Sequence, residues 1–223
     1  MTLTDSPREQ EAAREQMVQQ QVRAWDVLDE RVLDVFRRIP RERFVPEQHR
    51  YLAFADVSIP LPHDQHMLRP NVAGRLLQAL ELTGSEQVLE IGTGSGFVTA
   101  CLAATAASVR SLEIFPDLAE AARTHLAALG VRNAEVVTAD ASRLDGSERY
   151  DAIALTASLP VYDDRFQRRL TVGGRLFAVV GNPPVMEACL IRCVAESAYA
   201  RETLFETVVD PLINAPRPRA FTF

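Results

Sequence analysis

Three glycines at alternate positions, Gly92, Gly94 and Gly96, follow directly on the apolar run Val88–Ile91. The run reads as a buried strand, and Val98–Ala104 beyond the glycines is small, apolar and helix-compatible. A strand that breaks into glycines and restarts as a helix brings backbone N–H groups and a helix N-terminus to one sheet edge. Glycine suits that turn because a ligand approaches the backbone closely and positive φ costs it little. Thr93 and Ser95 fill the intervening positions with hydroxyls, and Glu90 places a carboxylate just ahead of the first glycine. The chemistry implied is small-molecule binding at the carboxyl end of this strand.

Two more acids stand at strand ends. Ser108–Glu113 reads as the next strand, and Glu113 lies about 20 residues beyond the first glycine, the spacing of a ribose-hydroxyl acceptor. A carboxylate suits that task because it accepts from both ribose hydroxyls at once. Ala134–Asp140 is the third strand, and Asp140 at its end reads as a helix N-cap and joins the candidate binding set. Ile114 and Ala141, which follow these acids, join the candidate binding set. So does Thr156, at the end of the fourth strand Tyr150–Thr156, where the sheet order reverses.

A dinucleotide site prefers G-x-G-x-x-G, with pyrophosphate on the helix N-terminus. Here the third glycine comes one residue early, a G-x-G-x-G variant typical of S-adenosyl-L-methionine (SAM) methyltransferases, whose cofactor has no pyrophosphate. The segment Val57–Pro70 holds three prolines and many polar side chains ahead of a helix expected over Asn71–Leu80, and reads as a surface loop with a task. Gln65, His66 and Arg69 are its candidate catalytic residues.

These residues need elements to hold them. Arg8–Arg23 reads as a helix, and Asp29 as the N-cap of a second that Pro40 ends. Pro116–Leu129 is an Ala-rich helix stopped by Gly130. A helix is expected up to Leu170, then a turn at Gly173-Gly174 into a strand Leu176–Val180. Val185–Val209 alternates as a terminal hairpin. The expected fold is α/β: a doubly wound, mostly parallel, seven-stranded Rossmann-like sheet with helices on both faces, an N-terminal helical lobe and an antiparallel C-terminal hairpin. Residues 1–82 form the helical extension and lid loop, and 83–223 the cofactor-binding domain, in one compact unit.

A net charge of −6 argues against a general nucleic-acid binder, since phosphate contacts need clustered Lys and Arg. No apolar run reaches the roughly 18 residues of a membrane span, and Met1–Gln21 has no apolar signal core. Cys101, Cys189 and Cys193 match no zinc or C-x-x-C spacing, so no metal site is expected. They read as buried thiols in a reducing, cytoplasmic setting. The sequence is silent on oligomeric state.

Val88–Phe97, Glu113, Leu155–Pro160 and Gly173-Gly174-Arg175 follow the order of class I SAM methyltransferases. More narrowly, Val18–Arg23, Asp29–Leu33, Ile39–Pro46, Ile59-Pro60-Leu61 and Leu89–Gly96 resemble the protein-L-isoaspartate O-methyltransferase family. The class I resemblance implies SAM as cofactor, with Asp140 accepting from the adenine amino group as well as or instead of capping a helix. The narrower one implies a protein or peptide carboxylate, the isoaspartyl residue of a damaged protein, as acceptor. The family's loop, approximately Gly-His-Gly-Gln-Thr-x-Ser-x-Pro, reads Pro62–Pro70 here. His63, Gln65 and Pro70 match, His66 stands at the threonine, and Leu68 stands at the active-site serine, whose role does not carry over.

Other readings stay open. Asn182-Pro183-Pro184 hints at amino-group methylation, but it follows the fifth strand and lacks the aromatic. A different acceptor, a SAM-binding protein without turnover and, more distantly, a nicotinamide oxidoreductase complete the set.

Overall fold

The computed structural model describes residues 6–144 and 147–217. The outer ends of the two expected segments, 1–5 and 218–223, lie outside the described residues. The first helix, α1 (Pro7–Met17), starts with a proline where no N–H is needed, then widens into a π-type stretch, Val18–Val22. The helix α2 (Glu30–Arg38) begins where expected, with the Asp29 carboxylate accepting from the Arg31 amide.

The proline-rich stretch is not a plain loop. It forms a hairpin of β1 (Ile59–Leu61) and β2 (Gln65–Met67), followed by α3 (Pro70–Leu80). His63 and Asp64 both take left-handed backbone, φ 63° and 54°, and the Gln65 amide reaches the Pro62 carbonyl. Two consecutive left-handed residues make the turn whose twist matches a hairpin. Pro60 is tolerated because the hairpin is a separate two-stranded sheet with open edges.

Beyond it come β3 (Gln87–Ile91), α4 (Phe97–Ala103), β4 (Ser108–Glu113), α5 (Pro116–Ala128), β5 (Ala134–Thr138), β6 (Tyr150–Leu159), α6 (Asp164–Gln167), β7 (Leu170–Asn182), β8 (Val185–Ala195) and β9 (Ala198–Thr207). The strands form one sheet in the order β5-β4-β3-β6-β7-β8-β9. Pairing is parallel from β5 to β7 and antiparallel for β7-β8 and β8-β9.

Neighbouring residues point to opposite faces, as a pleated strand requires. Val88, Ala152, Ala154, Phe177 and Val179 face a core shared with α3, α4, α5 and the N-terminal lobe. Leu89, Ile153, Leu155, Leu176 and Ala178 face the other side, with Phe166 of α6 among their neighbours. Helices lie on both faces, and the second is covered by shorter pieces. Phe36 and Phe44 each meet Phe97 edge-on at 5.7 Å, a geometry worth about 1 kcal/mol per pair. The lobe therefore shares the main core, and packing is continuous across the expected boundary at 82–83.

Two local expectations change. Gly173-Gly174 is not a turn before a strand but lies inside β7, where the register against β6 shifts between Tyr150 and Ala152. A Cβ on Gly174 would stand 2.9 Å from the Thr171 carbonyl oxygen, so the irregularity needs a residue without one. The helix expected up to Leu170 is only the four residues of α6. Among the described residues, no helix is long and apolar enough to cross a membrane. Cys101, Cys189 and Cys193 are buried and unpaired.

Candidate active site

The sheet order reverses at β3, which pairs with β4 on one side and β6 on the other. In an open α/β sheet a ligand crevice forms outside the carboxyl ends of the strands at that point. A partly enclosed cleft lies there. Its walls include Gly92, Gly94, Glu113, Asp140 and Thr156 from the sheet, and Leu61, Gln65 and His66 from the hairpin.

The glycine turn is tightly built. Gly92, Gly94 and Gly96 have φ of 94°, 53° and 86°. A Cβ on Gly92 would stand 2.5 Å from Thr156 Oγ1, which donates to the carbonyls of Ile91 and Gly92. The fold also satisfies four of the turn's amides. Those of Gly92 and Thr93 go to the Leu112 carbonyl, that of Gly96 to the Thr93 carbonyl, and that of Gly94 to Glu113 Oε2 at 2.8 Å. These four donors are committed within the fold, which leaves fewer amides free than a pyrophosphate cradle uses.

Glu113 also accepts from the Phe115 amide through Oε1 at 3.1 Å. A carboxylate has about four acceptor sites, which leaves capacity for two hydroxyls at the cleft wall. Asp140 accepts from the Ser142 amide at 2.8 Å and from Asn214 Nδ2 at 3.0 Å. Burial pushes its carboxyl up, but these hydrogen bonds and Arg143 outweigh it and hold the group below the usual value. It is thus the N-cap of Ala141–Arg143 and a wall of the cleft together. Apolar walls come from Ile114, Phe115 and Leu118.

The hairpin lies over this cleft and is held on two sides. His63 stacks on Phe115 at 4.1 Å with the rings 6° from parallel, and its Nε2 sits 2.8 Å from Asp117 Oδ1. His66 Nδ1 sits 3.0 Å from Asp210 Oδ2. Asp210 belongs to a segment after β9 that is stitched to the end of β6: the Ser158 amide donates to Asp210 O, and the Leu212 amide to Ser158 O.

The family model for protein-L-isoaspartate(D-aspartate) O-methyltransferase matches residues 12–208. The chain belongs to that family. It is a SAM-dependent methyltransferase. A protein-L-isoaspartate O-methyltransferase 1 of Rhodopseudomonas palustris strain HaA2 is 39% identical over 219 residues, 94% of this chain and 89% of that one. A protein-L-isoaspartate O-methyltransferase of Methanoculleus marisnigri is 43% identical over 169 residues, 75% of this chain and 77% of its own length. A Plasmodium falciparum structure described as a beta-aspartate methyltransferase, in complex with S-adenosyl-L-homocysteine, superposes with a TM-score of 0.76 at 16% identity. It covers 89% of this chain and 97% of its own, and shows the shared fold.

Within this protein-L-isoaspartate O-methyltransferase fold, Gly92, Gly94, Glu113, Ile114, Asp140, Ala141, Thr156, Gln65 and His66 come together at the cleft. Thr93 and Ser95 line a smaller pocket beside it, beneath the hairpin. Gly96 caps α4 against Ala122 and stands back from both. Glu90 also departs from the expectation. It is fully buried below the turn, where its Oε2 accepts from Thr99 at 2.5 Å and Ser111 at 2.6 Å. Arg69 lies outside the cleft, exposed at the N-cap of α3 and lining an outer groove with Val72 and Val208. Gln65 Nε2 donates to the His63 carbonyl at 3.0 Å.

Sequence reasoning missed the clamps Asp117 and Asp210 and the wall Val209–Ile213. Only Asp210-Pro211 carries a local sign, since a residue before proline is held extended.

Proposed function

We propose that this methyltransferase transfers the methyl group of SAM to the carboxylate of an isoaspartyl residue in a damaged protein or peptide, in the cytoplasm. The observation that carries this reading is the clamped hairpin closing an acid-walled cleft whose glycine turn has four amides committed within the fold. SAM, when bound, supplies an electrophilic methyl on a sulfonium. Glu113 would hold the ribose hydroxyls and Asp140 the adenine amino group, while Thr156 and Gly92 set the wall against the methionine part.

A carboxylate acceptor is ionised near neutral pH and is itself the nucleophile, so the chain need not provide a general base. Its residues have two tasks: to hold the acceptor in line, and to keep water out while charge is neutralised. The hairpin suits both. Leu68 has no hydroxyl to orient the acceptor, Gln65 is engaged within the hairpin, and Arg69 faces the outer groove. His66 lines both the cleft and that groove, so we assign it the contact with the acceptor carboxylate and Arg69 the outer flank.

The test is methyl incorporation from labelled SAM into an isoaspartyl peptide and its ordinary aspartyl counterpart. Incorporation is expected only into the first. His66→Ala should lower kcat/KM about tenfold or more, the effect of losing a hydrogen bond to a charged group, and Arg69→Ala less. Binding of SAM without incorporation into either peptide rejects the acceptor.

A further inference from the structure

Arg41 is the bulkiest fully buried side chain among the described residues, with no measurable exposure. Its guanidinium lies 4.8 Å over the Phe97 ring. Nε donates to the Ala53 carbonyl at 3.1 Å and Nη2 to the Leu68 carbonyl at 2.8 Å. Nη1 is buried with no partner. Among the described residues no carboxylate stands within ion-pair distance, and Asp56 acts on it only from farther away. Burial pulls this group down to about 10, which still leaves it a cation at neutral pH. An unpaired buried charge is costly, and an anion that arrives later removes the cost.

The place of Arg41 says where such an anion would come from. It lines a small pocket with Leu68, Thr93 and Ser95. That pocket shares Leu61, His66, Gly92, Gly94 and Thr156 with the cofactor cleft, so the two adjoin beneath the hairpin. Four amides of the glycine turn are already committed, so a carboxylate reaching this pocket gains from a further donor. We propose that Arg41 is the carboxylate receptor of the inner pocket, its Nη1 taking the carboxylate of either the amino-acid tail of SAM or the acceptor. The inference rests on the methyltransferase reading and adds to it a binding residue from the N-terminal lobe. Through Leu68 O, the same residue would tie arrival of the anion to the position of the lid.

The test compares SAM with decarboxylated SAM, which keeps the sulfonium and lacks the carboxylate, by calorimetry on the wild type, Arg41→Met and Arg41→Lys. If the cofactor tail is the ligand, Arg41→Met weakens SAM at least tenfold and leaves decarboxylated SAM unchanged, and Arg41→Lys falls between. If the acceptor is the ligand, both cofactors bind all three proteins alike, and KM for an isoaspartyl peptide rises at least tenfold in Arg41→Met. Equal weakening of both cofactors, or no change in any measurement, overturns the proposal and leaves Arg41 a structural strut. Should Arg41→Met fail to fold, wild-type protein labelled with 15N-arginine decides: the Arg41 side-chain signals should move with SAM and not with decarboxylated SAM, or with the peptide. Signals that ignore both carboxylates overturn it. Failure of SAM to bind the wild type would instead refute the cofactor reading itself.

Discussion

His66 Nδ1 and Asp210 Oδ2, 144 positions apart in sequence, meet at 3.0 Å and join the lid hairpin to the segment that closes the far side of the cleft. Both side chains are about one-third exposed, 39% and 31%, so the contact is a latch and not a weld. A surface pair of this kind is worth about 0–1 kcal/mol. A lid that must admit a bulky acceptor and release it needs a fastening of that size.

Asp210→Asn should therefore leave the melting temperature almost unchanged while raising KM for the acceptor peptide several-fold. Thermal denaturation and steady-state kinetics on the same preparation check this. A large fall in stability would show the latch to be part of the folded framework instead.

Buried Glu90 should give the protein a distinctive response to pH. Burial is the main cause that pushes its carboxyl from 4.5 up to about 7, against the pull of the Ser111 and Thr99 hydroxyls. The folded state thus holds the proton more tightly than the unfolded chain. The resulting stability is complete below pH 4.5 and is lost as pH rises through about 7. Glu90→Gln removes this titration, so its stability should vary less than that of the wild type over that window. The difference should be a few kcal/mol at most, read by urea unfolding across pH. Parallel curves would contradict it.

Gly92→Ala should be doubly penalised. Its backbone stays at φ 94°, and its new methyl meets Thr156 Oγ1, 2.5 Å away and held by two carbonyls. The expected loss is about 1–3 kcal/mol of stability together with SAM affinity. Adding Thr156→Ala should restore part of the loss by removing the clash while the φ penalty remains. A double mutant no better than the single one would discount the clash.

Leu68→Ser would place a hydroxyl where the family loop has one. Leu68 packs partly buried against the main core, so the change should cost about 1–2 kcal/mol of stability. Activity on the isoaspartyl peptide should rise, and His66→Ala should become less damaging in that background. Kinetics of the four proteins of this cycle decide whether His66 performs the hydroxyl's task.

How much was legible in the sequence follows the range of the interactions. The strand, turn and helix around Gly92–Gly96 and the acid at Glu113 are set by neighbours in sequence, and all stand where their spacing put them. Local pattern misled at Val57–Pro70, where prolines mask a hairpin whose turn rests on His63 and Asp64 in left-handed backbone. It misled again at Gly173-Gly174, because an irregularity inside a strand and a turn before one use the same residues. Asp117, Asp210 and Arg41 were not legible as site residues. Each acts on a partner far along the chain, and no spacing rule reaches across that distance. Glu90 was legible as an acid beside the turn, but not as one folded beneath it.

The stitching of Val209–Leu212 to Ser158 has a consequence for biosynthesis. A growing chain makes its glycine turn well before β8 and β9, yet the opposite wall of the cleft arrives only after them. Until that wall docks, Asp210 is not there to receive His66, and a nucleoside entering early would find one side of its berth open to water. Competence to bind is thus acquired at the last stage of assembly, when the whole sheet is in place.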